Sequence, residues 1–254
     1  LQRLYRIILF MNNYIALRMD DVGASSKKFN VYSKYPFCNT LFLKYLPPFR
    51  AWGPYNELSE KKWFDILNLL SKLNAKLTIG VTACYVNKDS SLIPFYEKFP
   101  RQAKIILSGV QNELIEVANH GLSHCIIGKH LPNMFSSNRK NHREFWDYMP
   151  REWHFDHIKT SQKILKDWIG YQVSTFIPPG NVYSIDTIDA AEASGIVRIN
   201  SSKIISSQTK VNIINEDHVY PFHDREVELY GIAWLETRIK ELMQNQEFAL
   251  IRDL

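Results

Sequence analysis

Cysteine is scarce, and its placement excludes two kinds of protein. Cys38, Cys84 and Cys125 are odd in number and widely spaced, with no C-x-x-C pair. A disulfide framework and a thiolate zinc knot are therefore not expected, and reduced thiols fit a cytosolic setting. Glycine and proline number only 10 and 11 among 254 residues, so the chain is neither fibrous nor of low complexity. No apolar run approaches the ~18 residues that span a membrane. The early run Ile7–Met11 is shorter than the ~7–15-residue core of a secretion signal. The expectation is a cytoplasmic protein without a transmembrane segment. Charge of one sign is never massed: Lys and Arg exceed Asp and Glu by 31 − 26 = +5, with no block of five or six like charges. Zinc-finger spacing and RNA-recognition aromatic motifs are also lacking, so nucleic acid is not an expected partner. The composition leaves the oligomeric state open.

What is present is an ordinary globular balance, 45% hydrophobic and 22% charged, at a length that suits one large α/β domain. Residues 1–13 read as an N-terminal extension, with Met11 as a possible natural start, and 14–254 as the domain. Tyr14–Met19 reads as a buried strand that stops at Asp20-Asp21. Ser59 reads as the N-cap of a helix carrying Trp63, Ile66, Leu67, Leu70 and Leu73 on one stripe. Strands are expected at Lys76–Val81, Leu114–Ala118, Val173–Ile177, Ile196–Ile199 and His218–Phe222. Further helices are expected at Arg101–Ser108, Asp156–Trp168, Ile185–Ala193 and Thr237–Asn245. This alternation predicts parallel strands with right-handed crossovers. Two long segments, 23–58 and 125–155, read as inserted loops.

Polar residues stand at the C-terminal ends of several of these strands: Asp20-Asp21, His120 and His223-Asp224. That is the face on which α/β folds assemble active sites. His120 and His124 are four apart, a spacing that puts both on one face if the segment is helical, where they could grip one metal. Glu does not follow His120, which excludes the zinc-protease motif. Of two adjacent aspartates, one can ligate a divalent ion while the other stays free as a base. Two histidines and one aspartate leave positions on zinc or iron open for water and substrate. His223 is the candidate acid for a departing amine, and Asp224 a candidate to raise its pKa. His154 and His157 read as surface residues.

Taken in order, these motifs resemble one family. Arg18-Met19-Asp20-Asp21-Val22-Gly23 is similar to the Asp-Asp motif that opens the polysaccharide deacetylase (NodB-homology, carbohydrate esterase 4) domain. Asn119-His120-Gly121-Leu122-Ser123-His124 is similar to its second motif. Phe176-Ile177-Pro178-Pro179-Gly180 resembles its third, and Tyr220-Pro221-Phe222-His223-Asp224 its closing one. The resemblance implies a distorted single-domain (β/α) barrel with fewer than eight repeats. It implies Asp20 as general base, Asp21, His120 and His124 as ligands of a divalent metal, and His223 as general acid. Zinc is the expected ion, with cobalt, nickel, manganese or iron as alternatives.

The implied reaction is removal of an acetyl group from an N-acetylated sugar, in a divergent branch tied to bacterial surface polysaccharides. The alternatives are O-acetyl ester or non-sugar amide hydrolysis on the same scaffold, or a silent carbohydrate-binding protein. Two departures stand out. Val22 follows the aspartates where the family has Gly, and Ile177 stands where it has an Arg that orients the base. Arg18, Arg139 and Arg143 are the candidates to replace that Arg. Arg50, Trp52, Pro179 and Asn181 are the candidate contacts to a sugar.

Overall fold

A computed structural model describes residues 14–25, 27–32, 50–130 and 139–254. The proposed N-terminal extension and Cys38 lie outside the described residues. In chain order the elements are β1 (Tyr14–Val22), β2 (Lys28–Tyr32), β3 (Arg50–Pro54), α1 (Glu60–Lys72), β4 (Leu77–Val81), β5 (Cys84–Val86) and β6 (Leu92–Pro94). There follow α2 (Phe95–Lys98), α3 (Pro100–Gln111), β7 (Ile115–Asn119), α4 (Arg151–Ile169), β8 (Thr175–Phe176) and α5 (Ile185–Ala193). The chain closes with β9 (Arg198–Asn200), β10 (Asn212–Ile214), β11 (Val219–His223), α6 (Asp224–Tyr230), α7 (Ile232–Leu242) and β12 (Glu247–Ala249).

The main sheet runs β10-β9-β8-β7-β4-β1-β11, with β12 added against β1, and every pair in it is parallel. It is strongly curled. β1 and β9 are four strand steps apart, which is ~19 Å in a flat sheet. Yet Arg18 Nη1 of β1 donates to Asn200 Oδ1 of β9 at 2.6 Å. Only a sheet wrapped around its own concave face allows that contact. The strands are parallel, as their alternation with helices predicts, and the curled half-barrel is the fold that the family resemblance implies.

The period-2 pattern of the strands sorts residues between two environments. Leu17, Met19, Leu77, Ile79, Ile115 and Val117 face outward into the largest core cluster with Trp63, Ile66 and Leu70 of α1 and Ala103 and Ile106 of α3. The alternate positions point into the half-barrel and include the buried polar side chains of Arg18, Asp20, Thr78 and Glu116. Buried Glu116 there accepts from Thr78 Oγ1 (2.7 Å), Thr175 Oγ1 (2.5 Å) and the Arg252 amide (3.0 Å). Burial pushes its carboxyl up, against those donors. A second core cluster, with Phe145, Ile158, Phe176, Ile188 and Ile199, closes the other side.

Ser59 caps α1 as its sequence predicts, accepting from the Lys62 amide at 3.3 Å. Both long loops are more structured than expected. Within 23–58, β2 and β3 form an antiparallel ribbon from Lys28↔Pro54 to Tyr32↔Arg50. The 125–155 segment contains a 3-10 turn at Arg139–His142, and α4 already begins at Arg151. The first turn of α4 escaped the sequence reading because its one buried side chain is His154 rather than an aliphatic residue. His154 and His157 are both buried, which corrects their reading as surface residues. Cys84 and Cys125 are free and buried, and burial pushes both thiols up to about 12. No helix among the described residues is long and apolar enough to cross a membrane.

Candidate active site

In a regular strand Asp20 and Asp21 would point to opposite faces. Here β1 continues through both to Val22, and a bulge intervenes. The pairing with β4 shifts register between Met19 and Val22, and Asp21 sits at φ +70 in the left-handed region. The extra residue turns both carboxylates toward the mouth of the half-barrel.

The histidine pair is not helical. His120 follows β7 directly, and His124 ends an irregular loop with φ +57. The two meet because that loop doubles back at Gly121 (φ +83), not because of helical spacing. Their rings lie 4.9 Å apart. His124 Nε2 is 3.0 Å and His120 Nε2 3.5 Å from the same Asp21 oxygen.

Three donor atoms from Asp21, His120 and His124 lie within 4.8 Å of one another. Both Nε2 atoms are buried without a hydrogen-bond partner. His120 Nδ1 is 2.7 Å from the Ile177 carbonyl, which can only accept, so Nδ1 carries the proton and Nε2 presents its lone pair. Orphaned lone pairs converging with a carboxylate fit a divalent cation, and the nitrogen and oxygen donors suit zinc, cobalt or iron.

Asp20 is not in this ligand set. Its Oδ2 is held by Arg18 Nη2 at 2.9 Å, while its buried Oδ1 has no partner. Arg18 is itself buried and also pairs with Glu216 at 2.9 Å. Arg18 is thus the candidate arginine that reaches the aspartate, as two positions along one strand allow. Arg143 does not. Its guanidinium lies over the Trp146 ring, 5.4 Å from the centroid, and its stem packs beside Gly180. The Arg139 side chain lies outside the described residues.

Gly80 of β4 leaves the space these groups occupy. A Cβ there would stand 3.2 Å from His120 Cγ and 3.4 Å from Asp20 Oδ1. Gly80→Val is therefore expected to displace both groups and weaken metal binding at least tenfold. Calorimetric titration with zinc, beside a melting curve showing that the variant folds, checks this.

His223 ends β11 in direct register with Asp20, so the proposed base and acid stand side by side on neighbouring strands. Asp224, the candidate to act on it, is directed elsewhere. Asp224 turns inward to an ion pair with Lys27 and accepts from the Tyr55 hydroxyl at 2.9 Å, while Glu57 holds the same lysine at 2.7 Å. Burial pushes the Asp224 carboxyl up to about 8, with Lys27 pulling down and Glu57 and Asp21 pushing further up. Burial and Asp224 likewise raise the Tyr55 hydroxyl. The groups that do face His223 Nδ1 are Arg225 Nη2 at 3.3 Å and Glu226 Oε2 at 3.7 Å.

Among the candidate sugar contacts, Pro179 is buried in the turn beside Arg143. Asn181 uses its Oδ1 to accept from Ser201 Oγ at 3.2 Å and the Ser202 amide at 3.4 Å, so it caps a turn. Arg50 and Trp52 lie on β3, with side chains outside those described.

One group escaped the sequence reading altogether. Glu144 is fully buried behind the histidine loop and accepts from the amides of Leu122, Ser123 and His124 at 3.0, 3.2 and 2.8 Å. No local signal marks it, since Asp147 and Glu152 stand in the same aromatic stretch.

The polysaccharide deacetylase family model matches residues 53–199. That stretch holds His120, His124 and the Pro178–Gly180 turn, while Asp20, Asp21 and His223 join the site through the fold. Among solved structures, the chain is similar to the Xyl-CE4 domain of a multidomain xylanase from the hindgut metagenome of Trinervitermes trinervoides. Identity there is 14%, covering 95% of this chain and 89% of that one, with a TM-score of 0.53. It is also similar to a family 4 acetyl xylan esterase from Clostridium thermocellum in complex with a cobalt ion, at 17% identity, 94% and 89% coverage and a TM-score of 0.50. A third match is a CE4 family pseudoenzyme from Bacillus anthracis, at 14% identity and a TM-score of 0.52, covering 96% of this chain and 65% of that one. This chain thus spans about two thirds of the length of that relative. No curated protein matches. These likenesses show a shared fold, and with more than half of the sequence matched by the family model, the chain belongs to the polysaccharide deacetylase family.

Proposed function

We propose that this protein is a metal-dependent hydrolase that removes the acetyl group from an N-acetylated sugar, of the kind found in precursors of surface polysaccharides. The observation that carries the reading is the convergence at one strand-end mouth of three ligand atoms, a free carboxylate oxygen and a histidine. A divalent ion held by Asp21, His120 and His124 would supply Lewis-acid polarisation of the acyl carbonyl and acidification of a water.

The chain's own groups do the rest. Asp20 Oδ1, the free oxygen, takes the proton of the attacking water, while Arg18 holds Oδ2 and so fixes the carboxylate in one orientation. On the neighbouring strand His223 acts as the imidazolium: Nε2 gives its proton to the departing amine and the ring is left neutral, with the Glu226 carboxylate 3.7 Å from Nδ1 on its other side. The Arg18–Asp20 pair supports an active enzyme over a silent binding protein, because it supplies an arginine where Ile177 removes the family's own.

The test is acetate release from a panel of N-acetylated oligosaccharides, with acetylated xylan for the ester alternative. The expected result is acetate and a free amine from an N-acetylated sugar, abolished by a chelator and restored by zinc or cobalt. Release from acetylated xylan alone would move the assignment to an esterase. A protein with one ion per chain that releases acetate from neither would be a binding module.

A further inference from the structure

The loop that carries His124 is held in an unfavourable shape, and a carboxylate outside the family's motifs holds it there. His124 has φ +57, a region that non-glycine residues enter at a cost and keep only when their surroundings impose it. Three successive amides, of Leu122, Ser123 and His124, converge on Glu144. Such a run of N–H groups is an anion nest, here closed around a side chain instead of a ligand. Gly121 lies against the same carboxylate: a Cβ there would stand 2.3 Å from Glu144 Oε2, at a backbone angle of φ +83. The glycine after the first histidine is therefore required by the buried acid.

Glu144 is in turn fixed from behind. His157 Nδ1 stands 2.5 Å from its Oε1, and the Trp153 ring stacks on His157 with centroids 3.8 Å apart. Trp153 Nε1 also donates to the Glu144 carbonyl at 3.1 Å, so side chain and backbone of the acid are both tied to α4. The two buried residues that sequence pattern placed on the surface or overlooked, His157 and Glu144, form one brace under one metal-ligand loop.

We infer that Glu144 is a positioning residue for the metal centre. It forms the 121–124 loop before any ion arrives, so that His124 needs no ordering on binding. The inference rests on the reading of Asp21, His120 and His124 as metal ligands. A group acting behind a ligand in this way changes metal affinity by about 10–100-fold when removed. The isosteric Glu144→Gln keeps the volume but replaces one accepting oxygen with an amide that can only donate.

The experiment has two arms. In the first, zinc affinity is measured by competition with a chromophoric chelator for wild type, Glu144→Gln and His157→Gln, each shown to be folded by near-UV circular dichroism. Glu144→Gln is expected to bind about 10–100-fold more weakly. His157→Gln, which touches no loop amide, is expected to lose clearly less. Wild-type affinity in Glu144→Gln, or equal losses in the two variants, overturns the inference. A wild type that takes up no ion overturns the metal-centre reading itself and this role with it.

The second arm needs no variant, and so survives a Glu144→Gln that does not fold. Amide hydrogen exchange is followed in metal-stripped wild type. Leu122, Ser123 and His124 are expected to be protected already, with little gain on adding zinc. Free exchange at all three until zinc is added would show that the ion, not Glu144, forms the loop.

Discussion

Asp20→Asn is expected to keep about one ion per chain and to lose about 10²–10⁴-fold in turnover, the usual span for removing a general base. The two halves of that expectation come from different oxygens and different neighbours. Asp21, not Asp20, completes the ligand set with His120 and His124. Asp20 has one oxygen on Arg18 and one buried and unpartnered. An asparagine of the same shape would turn its carbonyl oxygen to the guanidinium and its NH2 into the mouth, where it can donate but cannot take a proton. Metal content by elemental analysis and acetate release on the same preparation decide the matter. Loss of the ion would make Asp20 a ligand, and undiminished turnover would remove it from the base role.

Arg18→Met should destabilise the protein by about 3–5 kcal/mol, the usual cost of stripping one partner from a buried ion pair. Arg18 is 2% exposed and serves Asp20, Glu216 and Asn200 at 2.9, 2.9 and 2.6 Å. Methionine fills the space but leaves both carboxylates without a cation inside the half-barrel. Denaturant unfolding reads this loss directly. Arg18→Lys separates stability from positioning. A lysine restores the charge, but one ammonium cannot form the planar fork that spans β1, β9 and the segment before β11. Its turnover is expected to fall further than its stability predicts. A lysine variant with full turnover would show that Asp20 needs only a nearby positive charge.

How far the site could be read from sequence differs residue by residue. Arg18 was legible as one of three candidates because alternate residues of a strand share a face, and the structure singles it out by its 2.9 Å contact with Asp20. Asp20 and Asp21 were legible as types, but the same period would have sent them to opposite faces. The bulge that unites them rests on a left-handed Asp21, which no local pattern announces. The His120–His124 spacing suggested a helix, and the pair meets instead through a glycine turn wrapped around Glu144. That acid lies 20 residues after His124, and nothing near it in sequence marks it as a partner. Asp224 shows that adjacency in sequence does not prove contact: it follows His223 directly, and the backbone turns it inward to Lys27.

By itself the sequence determined an α/β class with parallel strands, polar residues at several strand ends, and the residue types of the candidate centre. Those follow from hydrophobic period and from motif order, which are local or nearly so. Only the tertiary structure decided which carboxylate faces the ligands, which arginine reaches the base, and what holds the second histidine. Each of those depends on a bulge, a left-handed residue or a contact across the curled sheet, where the energy of long-range packing overrides the preference of the local chain.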